Sequence, residues 1–367
     1  MVDINKTLTI KLIFIISILA LASAFFIEHA LGHQPCNLCI LERIPYLMAI
    51  IIIVLNYKFI HLEKYFIILL ILIFIASTIL SLYHFGIEQG FIEESLVCDL
   101  KNGSNLISKE DIDTFQRDGV VLVKALFADY VSTIRKGIEK NLSNPGPYAA
   151  ENLNQGESGR FFDDYCNWQR ISEFKEAIMS SPVGIVASQL MKSSKVQLFH
   201  EHVLVKEPGT SKPTPWHQDS PYYFIQGMQT ISFWSPMDKV TNASLRCVAG
   251  SHKWEKTVIP KKWLNEENFY HTQKDFMEVP DPDHDEKMEI KEFSMNPGDA
   301  VAFDFKILHG ARGNTSNVRR RAFSVRLVGD DARFIERGER TSPPFPNHDM
   351  ISGQPLRQDW FPIIYPN

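Results

Sequence analysis

The segment Trp216-His217-Gln218-Asp219 holds the residue types best suited to chemistry. A histidine and a carboxylate two positions apart on an extended strand face the same side, so both can reach one metal ion. His309, closing the strand-like stretch AFDFKILHG, offers a third ligand. Two histidines and one carboxylate make the facial triad that leaves open positions on Fe(II). Eleven residues further on comes Arg320, in NVRRRAFSVRLVGDD. Its planar fork suits the far carboxylate of a 2-oxoglutarate that chelates iron through its oxo-acid end. The tripeptide alone is weak, because about one HxD is expected by chance in a chain with this many histidines. The set of three ligands followed closely by an arginine carries the argument. Two of Arg319, Arg320 and Arg321 read as solvated charges. His200 and His202, in HEH, have the same strand geometry and offer either a competing metal pair or core residues.

A second candidate lies near the start of the chain, where Cys36 and Cys39 form a CxxC. Chance pairing or half of a zinc site would explain such a motif, but no second CxxC or histidine pair stands nearby in sequence. Five cysteines in 367 residues do not make a disulfide scaffold. Cys98 stands near the end of the apolar region, and Cys166 and Cys247 read as small buried hydrophobes.

The elements that must position these groups differ sharply between the two ends. Residues 1–100 hold 13 charged side chains and the remainder 68. The first hundred also contain LIFIISILALASAFFI, YLMAIIIIVL and YFIILLILIFIASTIL. These predict about three membrane spans, near Leu8–Ile27, Ile44–Leu55 and Tyr65–Leu82, the first with about the twenty residues that cross roughly 30 Å of hydrocarbon. The middle run is short and draws on Pro45, Tyr46, Tyr57 and Phe59 to reach that length. A signal peptide is the rival reading of the first run, since Lys6 and Lys11 flank it and Ala22-Ser23-Ala24 resembles a cleavage site. Lys6 and Lys11 at one end, with Lys58 and Lys64 between the later runs, place the N-terminus inside by the positive-inside rule. The net charge is −5 and no basic field appears, so nothing points to nucleic acid as a partner.

After residue 105 the pattern changes. Ser108-Lys109-Glu110-Asp111 is a capping box opening a helix that ends near Gly119. Val120–Lys124 reads as a strand, Val131, Ile134 and Ile138 recur at helical spacing, and Ser181-Pro182 opens a further helix. From Lys195 the period is two: Val196–Lys206, Thr230–Ser235, Glu289–Phe293, Ala300–Ile307 and Ala322–Val328 read as strands. The break in composition predicts a multi-domain chain, and helices first with many short strands later predict a jelly roll with outer helices for its second part. An α-helical transmembrane domain spans 1–100, and a mainly-β double-stranded β-helix (jelly roll) with flanking helices spans 105–367.

Two resemblances follow. FQRDGVVLVKALF, PTPWHQDSPYYF, LRCVAGSHKW, PGDAVAFDFKILHGARGN and RRRAFSVRLVGDDARF resemble the phytanoyl-CoA dioxygenase family across the whole second domain. That resemblance implies iron on His217, Asp219 and His309, and 2-oxoglutarate held by Arg320. It also places Gln218 and Trp234 at the co-substrate pocket, with O2 as oxidant and a small molecule or acyl compound as substrate. Where relatives often carry a glycine-containing turn, this chain reads Asn242-Ala243-Ser244-Leu245.

EHALGHQPCNLCILERIPYLM and SLYHFGIEQGFIEESLVC resemble disulfide bond formation protein B over residues 8–98. This implies that Cys36 and Cys39 are a redox pair, that Arg43 lies near a quinone, and that a thiol oxidase is the partner in a cytoplasmic membrane. A guanidinium near a thiolate would lower its pKa and speed exchange. The family has a second cysteine pair and a fourth span, whereas here only Cys98 follows and no later apolar run exists. A membrane thiol–disulfide oxidoreductase is therefore the alternative to an oxygenase tethered by this segment. Three spans from an inside N-terminus would also carry the oxygenase out of the cytoplasm, away from Fe(II) and 2-oxoglutarate. A reversed orientation, a segment serving only as anchor, and an artefactual joining of two reading frames are the three resolutions.

Overall fold

The computed structural model describes residues 2–30, 37–88, 106–240, 245–270 and 276–366. Cys36, Cys98 and Asn242-Ala243-Ser244 lie outside them. The chain divides into two compact units, Met1–Asn102 and Gly103–Asn367.

In the first unit, the helical stretches Lys6–His29, Leu38–Lys58 and Ile60–Gly86 are long and apolar enough to cross a membrane. Ile10, Ala49, Ile52, Ile53 and Leu70 pack between them, while Ile16, Leu19, Phe26, Val54, Ile79 and Leu82 stay exposed. Apolar side chains on the outside as well as the inside are what a lipid solvent selects. Lys6 pairs with Glu63 at 2.7 Å, and Arg43 with Glu28 at 2.5 Å. Cys39 is half-buried on the short helix Asn37–Leu41.

The second unit begins with the expected capping box. Ser108 Oγ accepts from the Asp111 amide, the Asp111 carboxylate accepts from the Ser108 amide, and helix Lys109–Asp118 ends at Gly119 with φ +74°. Further helices span Val131–Ser143, Ser172–Ser180 and Val183–Met191. An eight-stranded sheet runs, in spatial order, Val120–Val123, Ala300–Phe303, Thr230–Pro236, Arg320–Val328, Val196–Lys206, Phe161–Tyr165 and Ala150–Glu151, with Ile363–Tyr365 also pairing Val196–Lys206.

Alternation along these strands sorts the side chains. Val121, Val123, Val203, Val205, Phe233, Phe323 and Val325 face the helices, packing with Ile134, Phe174 and Leu190. Val120, Leu204, Trp234, Val301, Phe303 and Ala322 form the opposite layer. There they meet Leu245 and Cys247 of a four-stranded sheet ordered Ile290–Glu292, Leu245–Val248, His309–Ala311, Thr214–His217. Two facing antiparallel sheets with helices outside are the anticipated jelly roll.

Two local expectations need correction. Ala300–Ile307 is not one strand, because the Asp304 carboxylate accepts from the Lys306 amide at 2.7 Å and the Ile307 amide donates to the Asp304 carbonyl at 2.9 Å. That aspartate turn redirects the chain, so His309 opens a strand of the other sheet. Asp219 does not continue the strand of His217 either; its backbone is helical, at φ −71°, ψ −42°.

Candidate active site

Antiparallel pairing sets His217 directly opposite His309, with ring centroids 4.2 Å apart. Each ring fixes its own tautomer: His217 Nδ1 donates to the Pro215 carbonyl at 2.8 Å, and His309 Nδ1 donates to the Ile307 carbonyl at 2.9 Å. Both Nε2 lone pairs are thereby left for a third body. Asp219 Oδ1 lies 3.8 Å from each Nε2. Ligands about 2.1 Å from one ion are at most roughly 4.2 Å apart, so the three atoms suit a shared metal. Among the described residues this is the one group of three such side chains whose ligand atoms converge, all within 4.8 Å.

The surroundings hold the triad in its binding form. Asp219 Oδ2 accepts from Ser232 Oγ at 2.9 Å and lies 3.5 Å from Arg326 Nε, which itself donates to Tyr223 Oη at 2.9 Å. Burial opposes ionisation of Asp219, but the Arg326 guanidinium, with the Ser232 hydrogen bond, outweighs it and holds the carboxyl well below its usual range. Burial, aided by His309, pushes His217 down to about 3, and burial also lowers His309. Neutral imidazoles beside a charged carboxylate are the ligand states a divalent metal requires.

Arg320 is 3% exposed on the inner face of its strand, with its guanidinium 5.7 Å from the Trp234 ring centroid. Burial draws its pKa down to about 10. Its register neighbour Lys206 is buried, donates to the Lys212 carbonyl at 2.9 Å, and is pulled down to about 6 by desolvation. Arg319 and Arg321 instead form ion pairs with Glu207 and Asp238, each at 2.7 Å. Gln218 is buried with its amide engaged by backbone: Nε2 donates to the Lys306 carbonyl, and Oε1 accepts from the Val258 amide at 2.8 Å. His202 is bound to Asp163 at 2.9 Å and lies outside the metal group.

A cavity of about 280 Å³ opens beside His217 and Asp219, walled by Tyr165, His200, Tyr222, Trp263, Phe269 and Arg326. Sequence reasoning missed Arg326 and Ser232. Arg326 had a signal, since it lies on the same face of the strand as Arg320, an even number of residues further on.

Residues 115–322 match the model of the phytanoyl-CoA dioxygenase family, and residues 6–128 match that of disulfide bond formation protein DsbB. A probable phytanoyl-CoA dioxygenase from Caenorhabditis elegans is 25% identical over 253 residues, covering 64% of this chain and 75% of that one. An uncharacterized protein, RP370, from Rickettsia prowazekii is 41% identical over 96 residues, 26% of this chain, and the aligned stretch spans 55% of that relative. Among solved structures, the epimerase SnoN in complex with Fe3+, alpha ketoglutarate and nogalamycin RO superposes with a TM-score of 0.56. It is 17% identical and covers 70% of this chain and 98% of its own.

Proposed function

The chain belongs to the phytanoyl-CoA dioxygenase family, and we propose that its second unit is a non-haem Fe(II), 2-oxoglutarate-dependent dioxygenase hydroxylating a small-molecule or acyl substrate. The observation that carries this reading is the buried convergence of His217 Nε2, Asp219 Oδ1 and His309 Nε2, the atoms that would hold the iron. Bound Fe(II) with 2-oxoglutarate and O2 supplies the oxidising power to hydroxylate an unactivated C–H bond, releasing succinate and CO2.

The chain's own residues bind, orient and exclude water. The carbonyls of Pro215 and Ile307 keep the two imidazoles in one tautomer. Ser232 and Arg326 occupy the outer oxygen of Asp219, leaving its other oxygen for the metal. Arg320, desolvated against Trp234, is the anchor for the far carboxylate of 2-oxoglutarate. The three apolar helices tether this unit to a bilayer.

The test is Fe(II)-dependent conversion of 2-oxoglutarate to succinate by the full chain in detergent. Turnover that appears with Fe(II) and stops on chelation is expected. The same succinate yield with and without iron would refute the assignment.

A second reading concerns the membrane unit and rests on the match of residues 6–128. Here Cys36 and Cys39 pass two electrons from a partner's dithiol to a quinone near Arg43, giving a disulfide and a quinol. Quinone reduction driven by thiol oxidation in lipid nanodiscs should be lost in Cys39→Ser; a rate equal to wild type would exclude this reading.

A further inference from the structure

The wall of the active-site cavity contains a polar pair that the metal and co-substrate assignments do not use. Antiparallel register places Arg326 directly opposite His200 on the inner face of the large sheet. Both are buried, at 4% and 2% exposure, and both line the cavity that reaches His217 and Asp219. Each carries one nitrogen with no hydrogen-bond partner among the described residues: Arg326 Nη1 and His200 Nε2.

The chemistry of the two orphans differs. Guanidinium Nη1 only donates. His200 Nδ1 lies 3.1 Å from the Glu201 carbonyl, which can only accept, so Nδ1 carries the hydrogen and Nε2 presents a lone pair. Burial, with Arg326 adding to it, keeps the imidazole neutral. Burying a donor or an acceptor without a partner is costly, because the water it gives up is not replaced. A donor and an acceptor left side by side in a cavity wall therefore call for a ligand group that fills both roles.

The pair also stands apart from the co-substrate anchor. Arg320 and Arg326 share one face of the same strand, six residues and therefore roughly 20 Å apart along it. The same-face residues between them, Ala322 and Ser324, are small, and Asp219 lies against Arg326. One arginine thus serves the far side of the metal group and the other lines the substrate cavity.

We infer that Arg326 and His200 form a hydroxyl-recognition site that orients a neutral, alcohol-bearing substrate beside the iron ligands. The hydroxyl oxygen accepts from Nη1 while its hydrogen is donated to Nε2. A carboxylate satisfies only the arginine, because its oxygens face the imidazole lone pair. A hydrocarbon satisfies neither. Tyr165, Tyr222, Trp263 and Phe269 supply the apolar surface for the rest of the molecule, and about 280 Å³ suits a compact ring. This inference rests on the oxygenase reading above.

The test uses the full chain in detergent with Fe(II) and 2-oxoglutarate under anaerobic conditions. Calorimetry first measures 2-oxoglutarate binding. Ligand-observed NMR then measures three probes of matched size: 2-phenylethanol, phenylacetate and ethylbenzene. The alcohol should bind about tenfold more tightly than either other probe. His200→Phe should remove that advantage, and His200→Gln, which retains an acceptor, should restore part of it. Phenylacetate binding as tightly as the alcohol, equal binding of all three, or no binding would overturn the hydroxyl site. If 2-oxoglutarate itself fails to bind with Fe(II), the oxygenase reading falls and this site falls with it. Normal co-substrate binding without alcohol preference removes the hydroxyl site alone.

Discussion

His217 and His309 reach the metal group by the same local device, each ring donating through Nδ1 to the carbonyl two residues before it. The carboxylate between them depends on neighbours from a different strand, and Ser232 is its closest partner at 2.9 Å. Ser232→Ala should therefore leave the fold intact and weaken Fe(II) binding roughly tenfold, as changes behind a metal ligand commonly do; anaerobic iron titration checks this, and unchanged affinity would mean that Ser232 does not hold the ligand. Arg320 acts at a different point. Arg320→Ala should raise the KM for 2-oxoglutarate roughly ten- to hundredfold, the loss expected of a charge-assisted hydrogen bond, while iron affinity stays near wild type. The cluster of His217, Asp219 and His309, and the proposed anchor Arg320, could be picked out in the sequence from the HxD spacing and from the short interval between His309 and Arg320. Arg326 and Ser232 could not, because their meaning comes from cross-strand register and not from neighbours in the chain.

At the scale of elements, alternation on the strands decides what faces the helices and what faces the site. Phe323 packs edge-on to Phe127 and tilted against Phe174, at centroid distances of 6.1 and 5.0 Å. Phe323→Ala should cost about 3–5 kcal/mol, measured by denaturant unfolding of the full chain. Glu201 is on the same helix-facing side, fully buried, and desolvation raises its pKa to about 8. A carboxyl whose pKa rises on folding stabilises the protein below its unfolded value near 4.3 and loses that contribution as pH climbs through 8. Glu201→Gln should accordingly be more stable than wild type at pH 8 and above, with the gap closing toward pH 4.5; a constant gap would contradict the shift. Strand period and the Ser108 capping box were visible in the sequence. The break after Phe303 was not, because Ala300–Ile307 alternates as one strand would and only the Asp304 side chain, bonded to backbone, shows where it turns.

For the whole molecule, the division into an apolar and a charged half is visible in composition and reappears as two compact units. The three long helices expose side chains such as Leu19, Phe26 and Leu82, and the chain should stay with membranes through high salt and alkaline washing and leave only with detergent. Release by salt alone would argue against spanning helices. The side on which the second unit resides follows from the parity of spans, which sparse flanking charges fix weakly. A C-terminal reporter active only in the cytoplasm should be active, since Fe(II) and 2-oxoglutarate are supplied there; an inactive reporter with the protein intact would reverse that orientation. The central claim is that one iron, held by His217, Asp219 and His309, drives 2-oxoglutarate turnover in this chain. Its most direct test is succinate production by the purified full chain with Fe(II), 2-oxoglutarate and O2, compared with His217→Ala and Asp219→Ala. Wild type should form succinate and both variants should fall at least about a hundredfold; normal succinate production by either variant would contradict the metal assignment.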